Sequence, residues 1–322
     1  MDDESINPKN FDVVVVGEIN VDIILKGDVV PAFDQVEQIV EGAEIAIGSS
    51  AVIFACGAVR LGLKTAFIGK VGNDLFGNFM VESMENRGID ISGIIVDPQI
   101  KTGFSVILTN KNDRAILTFP GSIPELKICD INYSLISQSR HLHLSSYYLL
   151  DKLRPDIPAL FNKVKDMDLT ISLDTNYDPT GKWNGRLGDI LQNVDVFLPN
   201  ETEAKAISGE GTVDKALYKL AEIGPTVAIK CGKSGAIAIW KNMPQIKQKA
   251  PPVNIEDTVG AGDSFDAGFI YGFLSGWLPE KTLQLAVSCG SLSTTKSGGT
   301  AGQTSLLEAL EYMERGGEKP TI

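Results

Sequence analysis

The chain has 322 residues, of which 43% are hydrophobic and 22% are charged, and its formal net charge at pH 7 is −12. These proportions are typical of globular proteins, and an acidic chain without a basic run is a poor partner for nucleic acid, whose phosphates are bound by clustered lysine and arginine. No apolar run approaches the roughly 18 residues of a membrane helix, and residues 1–5 are too acidic for a signal peptide. We therefore expect a cytoplasmic protein with no nucleic-acid or membrane partner.

The first predicted element is a strand. Residues 11–17 form a β-branched run closed by Gly17, which is typical of a central strand buried on both faces. Asn20 and Asp22 follow two positions apart and would share one face of an extended chain. Such an amide and carboxylate can bind vicinal hydroxyls, but ordinary polar loop residues explain them equally well.

Residues 23–47 contain short β-type runs interrupted by glycine and proline, which predict small strands outside the main sheet. A helical pattern over residues 52–61 follows Gly48 and Ser49. Two further β-rich runs, residues 102–109 and 114–119, flank a hairpin signal at residues 110–113. We expect these strands to form a second small sheet.

Residues 194–203 predict a buried strand leading into a helix. Asn200 and Glu203 have the spacing of a capping box, in which each side chain accepts a hydrogen bond from the other residue's amide. A glutamate beside a phosphate site can also hold magnesium through water. The residues alone leave both interpretations open.

Residues 227–236 contain Gly232, Lys233 and Ser234, but they do not form a P-loop. That loop requires a glycine where Val227 stands, and its strand should precede the whole loop. A dinucleotide fingerprint is also excluded, because Phe265 stands where its third glycine belongs. A phosphate site must therefore be built differently in this chain.

The most informative stretch is residues 257–265, Asp-Thr-Val-Gly-Ala-Gly-Asp-Ser-Phe, which runs into an apolar helical segment. Residues 260–262 allow the backbone to approach a ligand closely, and the first amides of a helix bind anions. Asp263 would repel a bound phosphate unless an incoming hydroxyl lay between them, which suits phosphoryl transfer to an alcohol. The alternative is an ordinary helix start whose acidic residue is favoured by the helix dipole.

This stretch closely resembles the C-terminal signature of the PfkB-type carbohydrate kinases, the ribokinase-like family, and Asn200-x-x-Glu203 matches a second motif of that family. The resemblance spans residues 11–313. It implies an α/β chain with a three-layer αβα fold, a mostly parallel central sheet and a small β-sheet lid. We expect residues 11–20, 47–97 and 123–322 to form the catalytic domain, and residues 21–46 and 98–122 to form the lid.

The resemblance also implies residue roles. Asp263 resembles the catalytic base, and Gly260, Ala261 and Gly262 resemble the anion hole. The implied ATP-binding residues are Asn200, Lys230, Gly232 and Gly262. Glu203 is similar to a residue that holds magnesium through water, and Asp257 to one that helps bind a monovalent cation, so ATP and magnesium are the expected cofactors, with potassium as a further candidate. The substrate-binding candidates are Asn20, Asp22, Gly48, Ser49, Phe104 and Arg114.

Two positions depart from the family pattern. Val52 stands where an asparagine often touches substrate, and Asp178 stands where fructokinase-like and ketogluconate-kinase-like members have an arginine, which counts against an acidic sugar. We predict ATP-dependent phosphorylation of a hydroxyl on a small sugar or polyol, with a homodimer formed through the exposed edges of the lid.

Three alternatives remain open from the sequence. The chain could phosphorylate a nucleoside, or it could be an inactive kinase-like scaffold. It could also act on a phosphorylated sugar, although the lid offers only Lys101, Lys111 and Arg114 as cations.

Overall fold

The computed structural model describes residues 9–110, 114–183, 187–241 and 243–315. The strands are β1 (Phe11–Val16), β2 (Asn20–Lys26), β3 (Gly42–Ile47), β4 (Thr65–Gly72), β5 (Asp90–Asp97), β6 (Gly103–Thr109), β7 (Arg114–Phe119), β8 (Ser139–Leu144), β9 (Thr170–Leu173), β10 (Val196–Phe197), β11 (Thr226–Lys230), β12 (Ala236–Ile239) and β13 (Ile246–Gln248). The α-helices are α1 (Ser50–Arg60), α2 (Leu75–Glu85), α3 (Tyr133–Ser137), α4 (Ile157–Lys165), α5 (Leu187–Leu191), α6 (Glu201–Ser208), α7 (Val213–Ala221), α8 (Ala261–Leu274), α9 (Pro279–Ser293) and α10 (Leu306–Glu314).

The larger sheet has the strand order β13-β12-β11-β10-β9-β8-β1-β4-β5. All neighbours from β11 to β5 pair in parallel. The two strands at the other edge, β12 and β13, pair antiparallel. The predicted mostly parallel central sheet is therefore confirmed.

Both faces of this sheet are covered by helices. In β1, Val13 and Val15 belong to the apolar core under α1, α2, α8 and α9, whereas Val14 and Val16 belong to the core under α4, α6 and α7. Successive side chains of a strand point to opposite faces, so an unbroken β-branched run is what a doubly covered strand needs. The predicted three-layer αβα architecture is confirmed.

The smaller sheet has the order β3-β2-β6-β7, and we call it the lid sheet. Its middle pair is parallel and its two outer pairs are antiparallel. Every residue of β7 is exposed. The predicted hairpin turn, with Lys111, falls on residues 111–113, which lie outside the described residues.

The C-terminal ends of β1, β8, β9 and β11 lie at one edge of the larger sheet, because these strands run parallel. Ligand sites of open parallel sheets form at this edge. Among the helices of the described ranges, none is both long enough and apolar enough to cross a membrane.

Candidate active site

A cavity of about 740 Å³ opens at this edge. Its wall includes the ends of β9 and β11, the start of α8 and one face of α9. The residues that line the cavity include Ser50, Arg114, Asp174, Asn176, Asn200, Glu203, Lys230, Gly232, Lys233, Gly235, Pro251, Pro252, Val253, Thr258, Ala261, Gly262, Asp263, Val287 and Gly290. This volume lies in the range of small-molecule sites.

The N-terminus of α8 is shaped by Gly260. This residue is the N-cap of α8 with φ 71°, and no side chain caps the helix there. A Cβ on Gly260 would lie 2.6 Å from the Gly299 carbonyl oxygen, so only glycine fits this turn. The first amides of a helix lack internal partners, and Gly262 and Asp263 line the cavity. The structure therefore brings Ala261 and Gly262 of the predicted anion hole to the cavity wall, whereas Gly260 shapes the turn behind them.

Asp263 is a buried carboxyl group at the cavity wall. Burial, followed by the charge of Asp174, raises the pKa of Asp263 to about 8, although the Lys230 charge opposes this change. The Ser50 hydroxyl hydrogen-bonds the same carboxyl group. Because Ser50 Oγ also accepts from Asn176 Nδ2 at 3.2 Å, its own proton is free to be donated to Asp263.

Lys230 ends β11 and reaches toward α8. Its ammonium lies 2.8 Å from Asp174 Oδ2 and 3.0 Å from Asp266 Oδ2. Burial opposes the charge, but the two carboxylates outweigh it and raise the pKa of Lys230 above its ordinary value. Burial likewise opposes ionisation of Asp174, yet the nearby ammonium lowers the pKa of Asp174 to about 2. Sequence reasoning found Lys230 but missed Asp266 and gave Asp174 no role.

Asn200 and Glu203 form the capping box. Asn200 Oδ1 accepts from the Glu203 amide at 3.0 Å, and Glu203 Oε2 accepts from the Asn200 amide at 2.9 Å. The capping interpretation is thus confirmed. Burial and the charge of Asp174 raise the pKa of this cavity-lining carboxyl, Glu203, to about 7, and the Lys230 charge offsets that rise only in part. An oxygen ligand in that condition fits a magnesium ion.

The turn after Lys230 is a short 3-10 segment, Gly232–Ser234. Gly232 has φ 53°, and Gly232, Lys233 and Gly235 all line the cavity. Across from them lie Pro251, Pro252 and Val253 and, on α9, Val287 and Gly290. The proline segment was not predicted from the sequence, because a proline-rich loop carries no periodic pattern.

The predicted sugar-binding pair lies at the start of the lid sheet. Asn20 Nδ2 donates to Asp22 Oδ1 at 3.3 Å, and both residues are buried. A Cβ on Gly48 would lie 2.4 Å from Asp22 Oδ1 and 2.5 Å from Asn20 Nδ2, so the pair packs directly on this glycine. Burial raises the pKa of Asp22 to about 6, with Arg114 opposing the rise. Among the described residues that line the cavity, Asn20, Asp22 and Gly48 do not occur.

The other substrate candidates lie in different surroundings. Ser49 caps α1: its hydroxyl accepts from the Val52 amide at 3.0 Å and donates to the Glu18 carbonyl at 2.7 Å. Its hydroxyl proton is therefore not available to a substrate. Phe104 packs between Phe76 and Phe119, with ring centroids 5.3 and 5.5 Å away.

Asp257 lies beside the cavity and holds two segments together. Its carboxylate accepts from the Val259 amide at 3.0 Å and from the Gly298 amide at 2.9 Å. Arg114, which lines the cavity, reaches it from the lid sheet with Nη1 at 3.8 Å from Asp257 Oδ1. Lys26 Nζ donates to Ser297 Oγ at 2.6 Å on the same loop. The lid sheet is thus tied to the loop of Asp257 and to the loop of Ser297.

The two departures from the family pattern are not site residues in the structure. The Val52 side chain is buried in the apolar core, and Ser50 lines the cavity instead. The Asp178 carboxylate accepts from the Thr180 amide at 2.9 Å and the Trp183 amide at 2.7 Å. Its charge is used within a turn, and the expectation that an acidic sugar is disfavoured stays a prediction.

The parallel sheet is covered on both faces, and its cavity joins the glycine-bounded start of α8 to a buried carboxyl group. This arrangement suits phosphoryl transfer. The model of the pfkB family of carbohydrate kinases matches residues 10–306, and the chain belongs to this family. A 5-dehydro-2-deoxygluconokinase of Geobacillus thermodenitrificans is 30% identical over 267 residues, covering 76% of this chain and 77% of that protein.

Two further relatives are similar over most of the chain. An uncharacterized sugar kinase of Archaeoglobus fulgidus is 31% identical over 222 residues, covering 68% of this chain and 87% of that protein. A provisionally named ribokinase II of E. coli, solved with ATP and Mg²⁺, superposes with a TM-score of 0.85 at 26% identity, covering 95% of this chain and 99% of that one. Membership in a sugar kinase family and its fold are thereby established.

Proposed function

We propose that this protein transfers the γ-phosphoryl group of ATP to a hydroxyl of a small sugar or polyol, with Asp263 as the base. The observation that supports it most is the position of Asp263, a buried carboxyl in the first turn of a helix that no side chain caps, on the wall of the cavity that also holds the Gly232 turn. Family membership supports the reaction class.

In the proposed step, the Asp263 carboxylate accepts the proton of the acceptor hydroxyl. The hydroxyl oxygen then forms a bond to the γ-phosphorus while the bond to the β,γ-bridging oxygen breaks, and ADP leaves. The amides of Gly262 and Asp263 stabilise the charge on the transferring oxygens. The proton leaves Asp263 to solvent once the product has departed.

The nucleotide contacts fall to residues on the cavity wall. Lys230 and the Gly232 turn would bind the phosphates, and Pro251, Pro252 and Val287 would pack on the adenine. Asn200 would fix Glu203, which would hold magnesium through water. Magnesium, when bound, neutralises charge on the triphosphate.

The acceptor contacts fall to the lid sheet and the segment before α1. Asn20 and Asp22 would bind vicinal hydroxyls, with Gly48 as their floor, Phe104 packing on the sugar and Arg114 at the cavity edge. Ser49 would contribute only through its backbone. We take residues 21–46 and 98–122 as the lid, and the remainder of residues 11–322 as the catalytic domain.

Asp257 remains a candidate for binding a monovalent cation. Its contact with the Gly298 amide supports this proposal, because a cation bound there would order the loop of residues 296–300. Turnover in potassium, compared with turnover in tetramethylammonium at equal ionic strength, tests this role. Equal rates in both salts would rule it out.

The proposed reaction is tested by ADP release from ATP and magnesium across ribose, fructose, 5-dehydro-2-deoxygluconate, myo-inositol, fructose 6-phosphate and inosine. The acidic sugar belongs in the panel because a relative is named for it. We expect release that depends on a non-nucleoside acceptor and is lost in Asp263→Asn. Release only with inosine would make the protein a nucleoside kinase, and sugar binding without turnover would make it a scaffold.

We also propose that two copies pair through their lid sheets. Ile116 and Leu117 of the edge strand β7 are 53% and 62% exposed, and Ile45 of the opposite edge strand is 53% exposed. Exposed apolar edge strands are sites of strand pairing. Leu117→Arg should convert a sedimenting dimer to monomer, and a wild-type protein that sediments as a fully active monomer would contradict the pairing.

We place this reaction in the cytoplasm, where ATP is available. The four cysteines are free thiols in the structure, which suits a reducing compartment. Cell fractionation that recovers the protein outside the cytoplasm would contradict this assignment.

A further inference from the structure

Lys230 lies at the centre of a buried group of acidic side chains. One carboxylate oxygen from each of Asp174, Asp263 and Asp266 lies within 4.8 Å of the other two, in an arrangement that could hold a metal ion. In this structure the Lys230 ammonium bonds two of the three, with 2.8 Å to Asp174 Oδ2 and 3.0 Å to Asp266 Oδ2. The positive charge of the cluster is thus supplied by the chain itself.

The ammonium also lies against the anion hole. A Cβ on Gly262 would lie 3.6 Å from Lys230 Nζ and 3.8 Å from its Cε, so the side chain runs directly beside the backbone of Gly262. An ammonium has three N–H donors. One bonds Asp174 Oδ2 at 2.8 Å, and the two oxygens of the Asp266 carboxyl group, at 3.2 and 3.0 Å, can share a second. Lys230 lines the cavity, so the remaining donor can reach a bound phosphoryl group.

We propose that Asp174 and Asp266 are positioning residues, which hold the Lys230 ammonium beside the anion hole so that it contacts the γ-phosphoryl group of ATP. This inference rests on the proposed function. It extends the role of Lys230 from general ATP binding to the phosphoryl group that is transferred. It also gives a purpose to two buried acids that no motif of the sequence predicted.

The two acids do not contribute equally. Burial raises the pKa of Asp266 well above its ordinary value, whereas the burial of Asp174 is opposed by the Lys230 ammonium, which lowers the pKa of Asp174. Asp174 also lies nearer the ammonium, at 2.8 Å against 3.0 Å for Asp266. Asn at position 266 keeps both a donor and an acceptor, whereas Asn at position 174 removes the nearer counter-charge of the ammonium.

The test compares the affinities of the magnesium complexes of AMP-PNP and ADP by calorimetry, since only AMP-PNP carries a γ-phosphoryl group. In Lys230→Met and in the hydrogen-bonding variant Lys230→Gln, AMP-PNP should bind about 10-fold more weakly or worse, and ADP should change less than about 3-fold. Asp174→Asn should lose the same selectivity and Asp266→Asn much less. Asp214→Asn, which breaks an exposed ion pair with Lys247, is the matched control.

A double variant separates positioning from a structural role. If Asp174 acts through Lys230, Asp174→Asn combined with Lys230→Met should be no worse in AMP-PNP selectivity or in kcat than Lys230→Met alone. The inference would be overturned if the losses of the two single variants multiplied in the double variant. It would also be overturned if Lys230→Met and Lys230→Gln kept the wild-type selectivity for AMP-PNP over ADP. A wild-type protein that transfers phosphoryl groups while these variants keep full selectivity overturns this inference only. A wild-type protein that binds neither nucleotide overturns the proposed function as well.

Discussion

The cavity floor, which we define as Asp174, Lys230 and Asp266, differs from the lid sheet in how far its side chains are buried. On the floor, Asp174, Lys230 and Asp266 are almost entirely buried and are held by ends of the larger sheet and by α8. In the lid sheet, β7 is exposed along its whole length. Its side chains contact the loops of Asp257 and Ser297 through the Lys26–Ser297 and Arg114–Asp257 pairs.

We infer from this difference that the cavity floor serves the chemistry and that the lid sheet serves the selectivity for the acceptor. Buried acids destabilise the fold unless they are paired, so the floor can tolerate few substitutions without losing stability or charge balance. The lid sheet carries little of the apolar core, and changes there should alter acceptor binding while leaving the floor intact. Each prediction below tests one side of this division.

The largest effect should come from Asp263→Asn. Loss of the base should lower kcat by about 10²- to 10⁴-fold with little change in the KM of either substrate. Steady-state kinetics at saturating ATP measure this change. A variant with near-normal kcat would remove Asp263 from the chemistry.

The same substitution should stabilise the fold, and the sign follows from the pKa of Asp263. That pKa rises from 3.8 to about 8 on folding. Stability from the protonated group is full below about pH 4 and is lost as the pH rises through about 8. Asn cannot ionise, so the Tm gain of the variant in thermal melts should be larger at pH 9 than at pH 4. A gain that does not grow with pH would contradict the raised pKa.

Gly262→Ala should be the second largest effect. The new Cβ meets Lys230 only at ordinary contact distance, 3.6 Å or more, so the fold should be retained. It would nevertheless narrow the anion hole, and we expect kcat to fall by about 10- to 100-fold. Gly211→Ala, where a Cβ meets nothing within 4 Å, is the control for a general loss of backbone freedom. Equal kinetics of the two variants would place the phosphoryl group elsewhere.

The pH dependence of kcat/KM should show the same base. Below its pKa of about 8, the ionised fraction of Asp263 rises about tenfold per pH unit, so kcat/KM should climb and then level above that pH. Initial rates between pH 6 and 9 at fixed ionic strength measure the rising part of this pH profile and its plateau. A flat profile between pH 6 and 8 would contradict a base with this pKa.

The smallest of these effects should come from the acceptor side. A Cβ at Gly48 would lie 2.4 Å from Asp22 Oδ1, which forces the Asn20–Asp22 pair to move. Gly48→Ala should therefore raise the KM of the acceptor about tenfold while leaving the KM of ATP unchanged. An equal rise in both values would mean that the pair does not belong to the acceptor site alone.

The division also marks what the sequence could predict. The β-branched residues 11–17, the glycines around Asp263 and the Asn200–Glu203 spacing are local patterns, and each was found at its predicted place. Strands β2, β6 and β7 of the lid sheet were predicted from short β runs, whereas β3 begins at Gly42, a glycine that was expected to interrupt such a run. Local backbone chemistry leaves a readable trace in such stretches.

The rest of the site depends on residues that are distant in the chain. Asp174, Lys230 and Asp266 come from three separate elements, and only the strand order of the larger sheet brings them together. The surroundings of Val52 and Asp178 could not be predicted from the sequence, because a motif does not show which way a side chain points. In the structure the Val52 side chain lies in the apolar core, and the Asp178 carboxylate accepts hydrogen bonds within a turn.

The most direct test is a rapid-quench single-turnover experiment with labelled ATP and a saturating acceptor, on the wild type and Asp263→Asn, with binding of both substrates measured separately. We predict that Asp263→Asn binds ATP and acceptor within about 3-fold of the wild type but transfers the phosphoryl group at least about 100-fold more slowly. Transfer at the wild-type rate by this variant would contradict the assignment of Asp263 as the base.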